Sequence, residues 1–218
     1  MEIFIHTYCL NHYRTILLDK FKKIKKSGLL DRCNKIHIPV FNLKSSDVIF
    51  FEEFKKLSPK IEVFQISSNK YNNECDTLNY IKKYVENFEE NVPILYMHTK
   101  GVSYIQPQIL KNIKTWNRYL DYYCIGDWKY AVEKLKEYNT VGPFLGTDHY
   151  SGNHYWINSD YIKTLPEITD QNVKTLNRGE YWIGLNKNLT QFELSGIVFL
   201  FDTYLDSFVI PDFFPEGF

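Results

Sequence analysis

Pro93-Ile94-Leu95-Tyr96-Met97-His98-Thr99-Lys100-Gly101 is an apolar run that stops abruptly at three polar side chains and a glycine. It reads as a β-strand delivering a His, a Thr and a Lys to one edge of a sheet. In open α/β sheets, ligands sit just outside the carboxyl ends of the strands. Polar and cationic groups gathered there can hold an anion such as phosphate. The same run also reads as a strand ending in an ordinary polar turn, and what surrounds it decides between the two.

Upstream, Ile3-Phe4-Ile5 is a short apolar run, followed by helical periodicity from about Tyr13 to Lys26 that Ser27-Gly28 ends. Lys35 to Val40 and Ile61 to Ile66 alternate as strands, with a helix between them over Asp47 to Leu57. Asp76-Thr77 can cap a helix reaching about Phe88. Helix and strand thus alternate with short connections, which predicts a mainly parallel, doubly wound sheet. Downstream, one or two helices span about Ile109 to Tyr138 with a break near Gly126. A Gly-punctuated polar block, Gly146 to Asn153, leads into a strand carrying Trp156. Ser159-Asp160 caps a short helix ending at Pro166, Arg178 to Ile183 opens another helix, and Ile197 to Phe201 is apolar.

The 218 residues show no linker or repeat that would divide them, so a single domain is expected. Lys+Arg and Asp+Glu both number 26, which argues against a dedicated nucleic-acid binder. The locally basic Lys20 to Lys26 carries Leu17, Leu18, Phe21 and Ile24 at helical spacing and reads as a solvated helix face. No stretch is apolar enough for a transmembrane segment, and the first residues lack the layout of a signal peptide. Cys9, Cys33, Cys75 and Cys124 have no metal-type spacing and read as reduced thiols of a cytoplasmic protein, in the host cytoplasm if viral.

The chain contains no GxGxxG, GxxxxGK[ST], GxSxG or HExxH. Asp-x-Asp, a common metal clamp of nucleotide-sugar enzymes, is absent too. Glu74-Cys75-Asp76 is the nearest substitute for holding a manganese or magnesium ion, but it also reads as an acidic helix start favoured by the macrodipole.

Five blocks then occur in order: Ser27-Gly28-Leu29; Glu74-x-x-Thr77-Leu78; Tyr96 to Ser103 around His-Thr-Lys-Gly; Trp116-x-Arg118-Tyr119-Leu120; and Tyr150-Ser151-Gly152-Asn153-x-x-Trp156. Over roughly residues 1 to 185 this resembles a family of small GT-A-like glycosyltransferases from bacterial surface-polysaccharide clusters and large DNA viruses. That family includes the amino-terminal domain of a chlorovirus capsid-glycan glycosyltransferase. The resemblance implies an α/β, GT-A-like (Rossmann-like) mixed, mainly parallel sheet flanked by helices. Its nucleotide-binding half would be about 1–105 and its acceptor and sugar half about 106–218. The implied partners are a nucleotide-sugar donor, UDP-linked for choice, and a glycan or glycoprotein acceptor, with no nucleic acid. A non-catalytic binding module of the same fold is the alternative.

In that frame His98, Thr99, Lys100 and Gly101 stand where the Asp-x-Asp would be, so positive charge replaces a hard-cation site and no metal cofactor is expected. His6, Thr7, Glu74, Asp76, Thr77, Ser151, Gly152 and Asn153 complete the expected substrate-binding set. Glu180 and Asp148 are the candidate catalytic carboxylates, one of which would serve as base; Glu180 equally reads as a helix-capping acid. Arg118 could reach the diphosphate or lie on the surface, and Trp156 could stack on a sugar or belong to the core.

Overall fold

The computed structural model describes residues 1–66, 74–176 and 179–196. Arg178 and the apolar run from Ile197 to Phe201 lie outside the described residues. Among the described residues there are seven strands: β1 Glu2–Tyr8, β2 Lys35–Phe41, β3 Ile61–Gln65, β4 Pro93–His98, β5 Thr140–Gly142, β6 Tyr155–Asn158 and β7 Gln191–Glu193. They form one sheet in the order β3-β2-β1-β4-β6-β5-β7. β1 runs parallel to β2 and β4, and β2 to β3. β6 alone is reversed, pairing antiparallel with both β4 and β5, while β7 is parallel to β5.

β1, β2 and β4 are buried on both faces because helices cover both, whereas β3, at the edge of the sheet, leaves Glu62 and Gln65 exposed. Ile3 and Ile5 of β1 join a core with Ile36, Ile38, Leu95, Met97 and Trp156. Leu17, Phe21 and Ile24 of α1 (Tyr13–Lys26) and Phe51 and Phe54 of α3 (Val48–Lys55) pack on that side. Phe4, one residue out of phase, joins Ile94, Tyr96 and Tyr155 on the opposite face. There they meet Leu78, Ile81 and Val85 of α4 (Cys75–Val85) and Tyr161 and Ile162 of α7 (Ser159–Thr164). Between these lie α2 (Leu29–Arg32), α5 (Pro107–Asp121) and α6 (Trp128–Lys134). Pro107 opens α5, where its fixed φ suits a first helical turn.

The break expected near Gly126 is a π turn, Tyr122–Gly126, joining α5 to α6. Trp156 Nε1 donates to the Cys124 carbonyl inside that turn at 2.9 Å, and Trp156 is completely buried. It is a core residue and cannot stack on a sugar. The basic face of α1 also departs from expectation. Lys20 and Lys23 are buried, with Nζ atoms 2.5 and 2.9 Å from the buried Asp121 carboxylate at the end of α5. Lys23 also pairs with Asp19 at 2.7 Å. Charges taken out of water need such partners, so the helix keeps its lysines where α5 supplies a carboxylate. In place of the helix expected from Arg178 to Ile183 there is a 3-10 turn, Trp182–Leu185. All four cysteines are buried and unbridged.

Candidate functional site

The reversal of β6 brings the two polar blocks together. Its antiparallel register sets Tyr155 opposite Tyr96. The residues just before β6 therefore emerge at the same sheet edge as those just after β4. His98 Nε2 lies 3.0 Å from the Gly152 carbonyl oxygen, and its Nδ1 3.1 Å from Glu74 Oε1. Each ring nitrogen thus has a partner, one at the start of α4 and one on the turn before β6.

Glu74, at the N-cap position of α4, is the hub of this arrangement. Its Oε2 accepts Tyr96 Oη at 2.5 Å and Asn153 Nδ2 at 2.6 Å. Burial opposes its ionisation, but His98 and the hydrogen bonds outweigh that and bring its pKa down to about 2. His154 donates from Nδ1 to the same Gly152 carbonyl at 2.8 Å and meets Lys20 Nζ through Nε2 at 3.0 Å. An ammonium can only donate, so His154 is neutral. Burial first, then Lys20 and His98, holds its pKa well below the usual value.

Several residues expected to touch substrate are instead internal supports. Thr99 N donates to the His6 carbonyl at 3.0 Å, and Thr99 Oγ1 accepts Tyr8 N at 3.1 Å. Thr7 Oγ1 donates to the Ile5 carbonyl, and His6 Nδ1 sits 2.8 Å from Thr77 Oγ1. Burial, against the pull of Glu74, lowers the His6 pKa to about 4. Asn153 is completely buried behind Glu74. His98 and Asn153 thus brace the wall of the site from behind instead of facing a ligand. The Glu74–Asp76 pair does not suit a divalent cation either. Both Glu74 oxygens are engaged by donors, and Asp76 stands in the first turn of α4. Among the described residues no group of three or more His, Cys, Asp and Glu side chains is gathered as metal ligands would be.

In front of that wall is a cavity of about 460 Å³, a size suited to a small-molecule ligand. Lys100, Gly101 and Tyr104 line it from the loop after β4, and Ile113 and Trp116 from α5. Phe144, Leu145, Gly146, His149, Ser151 and Gly152 form a second side, and Glu180 and Tyr181 close a third. Lys100 Nζ stands 4.4 Å from the Trp116 ring centroid. Burial lowers the Lys100 pKa from its ordinary value, while Glu180 and Glu74 pull it back up.

Two glycines let the loops close on α5. Gly101 has φ +87°, and a Cβ there would lie 2.3 Å from Ile113 Cγ2. Gly152 has φ +92°, and its Cβ would come within 3.0 Å of Trp116 and Leu120. Arg118 does not join this cavity. It stands two residues from Trp116, about 200° around the helix. It lines a separate cavity of about 660 Å³ between α1 and α5, with Thr15, Asp19 and Lys114.

The two carboxylates expected to act are placed unequally. Glu180 lines the cavity, whereas Asp148 is half exposed and reaches it only through His149, with Oδ1 3.3 Å from His149 Nδ1. Sequence reading overlooked His149, Tyr104 and Tyr181. In a chain with 17 Tyr and 16 Phe, aromatic residues carry little signal, and an Asp-His pair in a turn carries no more.

No protein-family model matches the chain, and no curated protein matches it by sequence. Solved structures resemble it in fold. HddC from Yersinia pseudotuberculosis superposes with a TM-score of 0.50 over 88% of either chain, at 9% identity. The galactosyltransferase LgtC, solved with donor and acceptor sugar analogues, gives 0.47 over 88% of this chain and 73% of its own, at 11% identity. The 4-diphosphocytidyl-2C-methyl-D-erythritol synthase of Anaerococcus prevotii gives 0.37 over 82% of this chain and 83% of its own, at 9% identity. The class that the sheet defines is an α/β, GT-A-like fold with a mixed, mainly parallel sheet flanked by helices. Among the described residues no helix is long and apolar enough to cross a membrane.

Proposed function

We propose that this protein is a glycosyltransferase moving a sugar from a nucleotide-sugar, UDP-linked for choice, to a glycan or glycoprotein acceptor. The observation that carries the reading is Lys100. A partly desolvated ammonium lies at the carboxyl edge of β4, in a cavity with aromatic walls and one carboxylate, Glu180. Charge that develops on a departing diphosphate must be met by groups already in place. Lys100 supplies that charge as a positioned donor, and the Ser151 hydroxyl, at the cavity wall, can hydrogen-bond a sugar hydroxyl. Trp116 and Tyr181 give apolar faces for a sugar ring or base. No step requires a bound metal. The nucleotide lies over residues from the first half of the chain, and the acceptor approaches over those of the second.

The test is release of nucleoside diphosphate from a panel of nucleotide-sugars, followed by mass spectrometry, with and without excess chelator. Turnover of at least one UDP-sugar that survives chelation is expected. Failure to bind or hydrolyse any of them would sink the reading. Activity lost to chelator and restored by manganese would overturn its metal-independent form.

A further inference from the structure

We propose that His149 is the catalytic residue that takes the proton of the attacking hydroxyl, with Asp148 and Tyr181 as its positioning residues. This assignment rests on the transferase reading above and deepens it. His149 lines the cavity that holds Lys100 and Glu180. Its ring is fixed from two sides: Asp148 Oδ1 at 3.3 Å from Nδ1, and the Tyr181 ring edge-on at 4.7 Å and 82°. Among the described residues no protein group hydrogen-bonds Nε2. In the neutral ring, Nδ1–H donates to the carboxylate and Nε2 carries the lone pair, which is the tautomer a base needs.

The seat of the pair is built by two glycines. Gly146 N donates to the His149 carbonyl at 2.7 Å, closing the turn, and a Cβ on Gly146 would lie 2.8 Å from His149 Cε1. Gly184 lies against Asp148 from the 3-10 turn, where a Cβ would come within 2.6 Å of the Asp148 carbonyl oxygen and 2.7 Å of its Cβ. Any side chain at either position would displace the pair. Glu180, the other candidate, lines the same cavity, and its negative charge favours the charged form of Lys100.

In the step, the acceptor oxygen bonds to the anomeric carbon as the bond from that carbon to the diphosphate oxygen breaks. The electron pair of the broken bond leaves with the nucleoside diphosphate. The hydroxyl proton passes to His149 Nε2, and the resulting imidazolium faces Asp148. The His149 side chain is 23% exposed, so water can take the proton away.

The groups facing His149 are Asp148 on its own turn, Glu180 and Tyr181 from the segment before the 3-10 turn, and Lys100 across the cavity. A base at this position works only while Nε2 keeps its lone pair, so the rate should show an acidic limb that depends on His149.

The test measures UDP release from UDP-hexoses, with water and p-nitrophenyl glycosides as acceptors, against pH. His149→Gln should bind UDP as the wild type does, lose about 10²-fold or more in kcat and lose the acidic limb. Added imidazole should restore part of the rate to His149→Ala. Asp148→Asn changes a half-exposed side chain, and it should lower kcat by loosening the orientation of the His149 ring while leaving UDP binding as in the wild type. Wild-type turnover with a His149→Gln variant of equal rate and unmoved limb overturns this assignment alone. A wild type that neither binds UDP nor releases it from any UDP-hexose overturns the transferase reading and this assignment with it.

Discussion

Lys100 stands at a point where its charge is costly to keep and therefore informative. Burial lowers its pKa, Glu180 and Glu74 pull against that, and the ammonium stands over the Trp116 ring at the edge of a cavity. If that ammonium meets a diphosphate, Lys100→Ala should weaken UDP binding by about 1.5–3 kcal/mol, the scale of a hydrogen bond to a charged group. Isothermal titration of wild type and variant with UDP checks this, and equal dissociation constants would reduce Lys100 to a loop residue. Two positions earlier, His98 shows why residue roles were only partly legible. In sequence, His98, Thr99 and Lys100 form one polar tip on an apolar strand. In the fold, His98 is engaged by Glu74 and Gly152, and Thr99 by Tyr8. Those partners come from other elements, and no local pattern announces them. Trp156 is the same case, because its indole is claimed by the Cys124 carbonyl of a π turn that has no sequence signature.

At the scale of elements, the cavity exists because the loop after β4 and the block before β6 both touch α5 through glycine. A Cβ at Gly101 meets Ile113 at 2.3 Å on a backbone with φ +87°. Gly101→Ala should therefore cost about 1–2 kcal/mol for the left-handed backbone and about 1–3 kcal/mol for overpacking. Truncating Ile113 relieves only the second part. In urea unfolding, Gly101→Ala/Ile113→Ala should be less destabilised than the sum of its single variants, whereas strict additivity would show that the contact is absent. The elements themselves were largely legible. β1 to β4 and the helices between them announce themselves by apolar periodicity and by Gly and Ser at helix ends. β5 and β7, of three residues each, are too short to show a period, and the reversal of β6 is decided by pairing with β4. The same reversal carries the Ser151–Asn153 block to the edge where β4 ends, so the pairing of the two blocks could be read from their order but not their division into wall and support.

Over the whole molecule, the site edge is held by ionisable groups removed from water. Lys20 and Asp121 tie α1 to α5, His154 links Lys20 to the Gly152 turn, and Glu74 joins α4 to Asn153 and to His98 at the end of β4. Such a scaffold is sensitive to acid, and the direction follows from the shifts. His6 is held neutral, with its pKa brought from 6.5 to about 4, and His154 is pushed the same way by burial, Lys20 and His98. As pH falls below 6.5 the unfolded chain takes up protons that these two rings refuse in the fold, so the stability they contribute above 6.5 is lost. For His6 that loss runs from 6.5 down to about 4. Between pH 7 and 5 it amounts to about 2 kcal/mol for His6 alone. Glu74 adds a second loss, because its carboxylate is favoured in the fold and the advantage goes as pH drops from 4.5 to about 2. Urea midpoints measured at pH 7, 6 and 5 should fall steadily, and His6→Asn, which keeps a hydrogen-bonding group for Thr77 without a titrating ring, should show a shallower fall. A midpoint that holds constant from pH 7 to 5 in the wild type would mean that these histidines take up protons as readily in the fold as outside it, and that the network does not secure the sheet edge through their neutral forms.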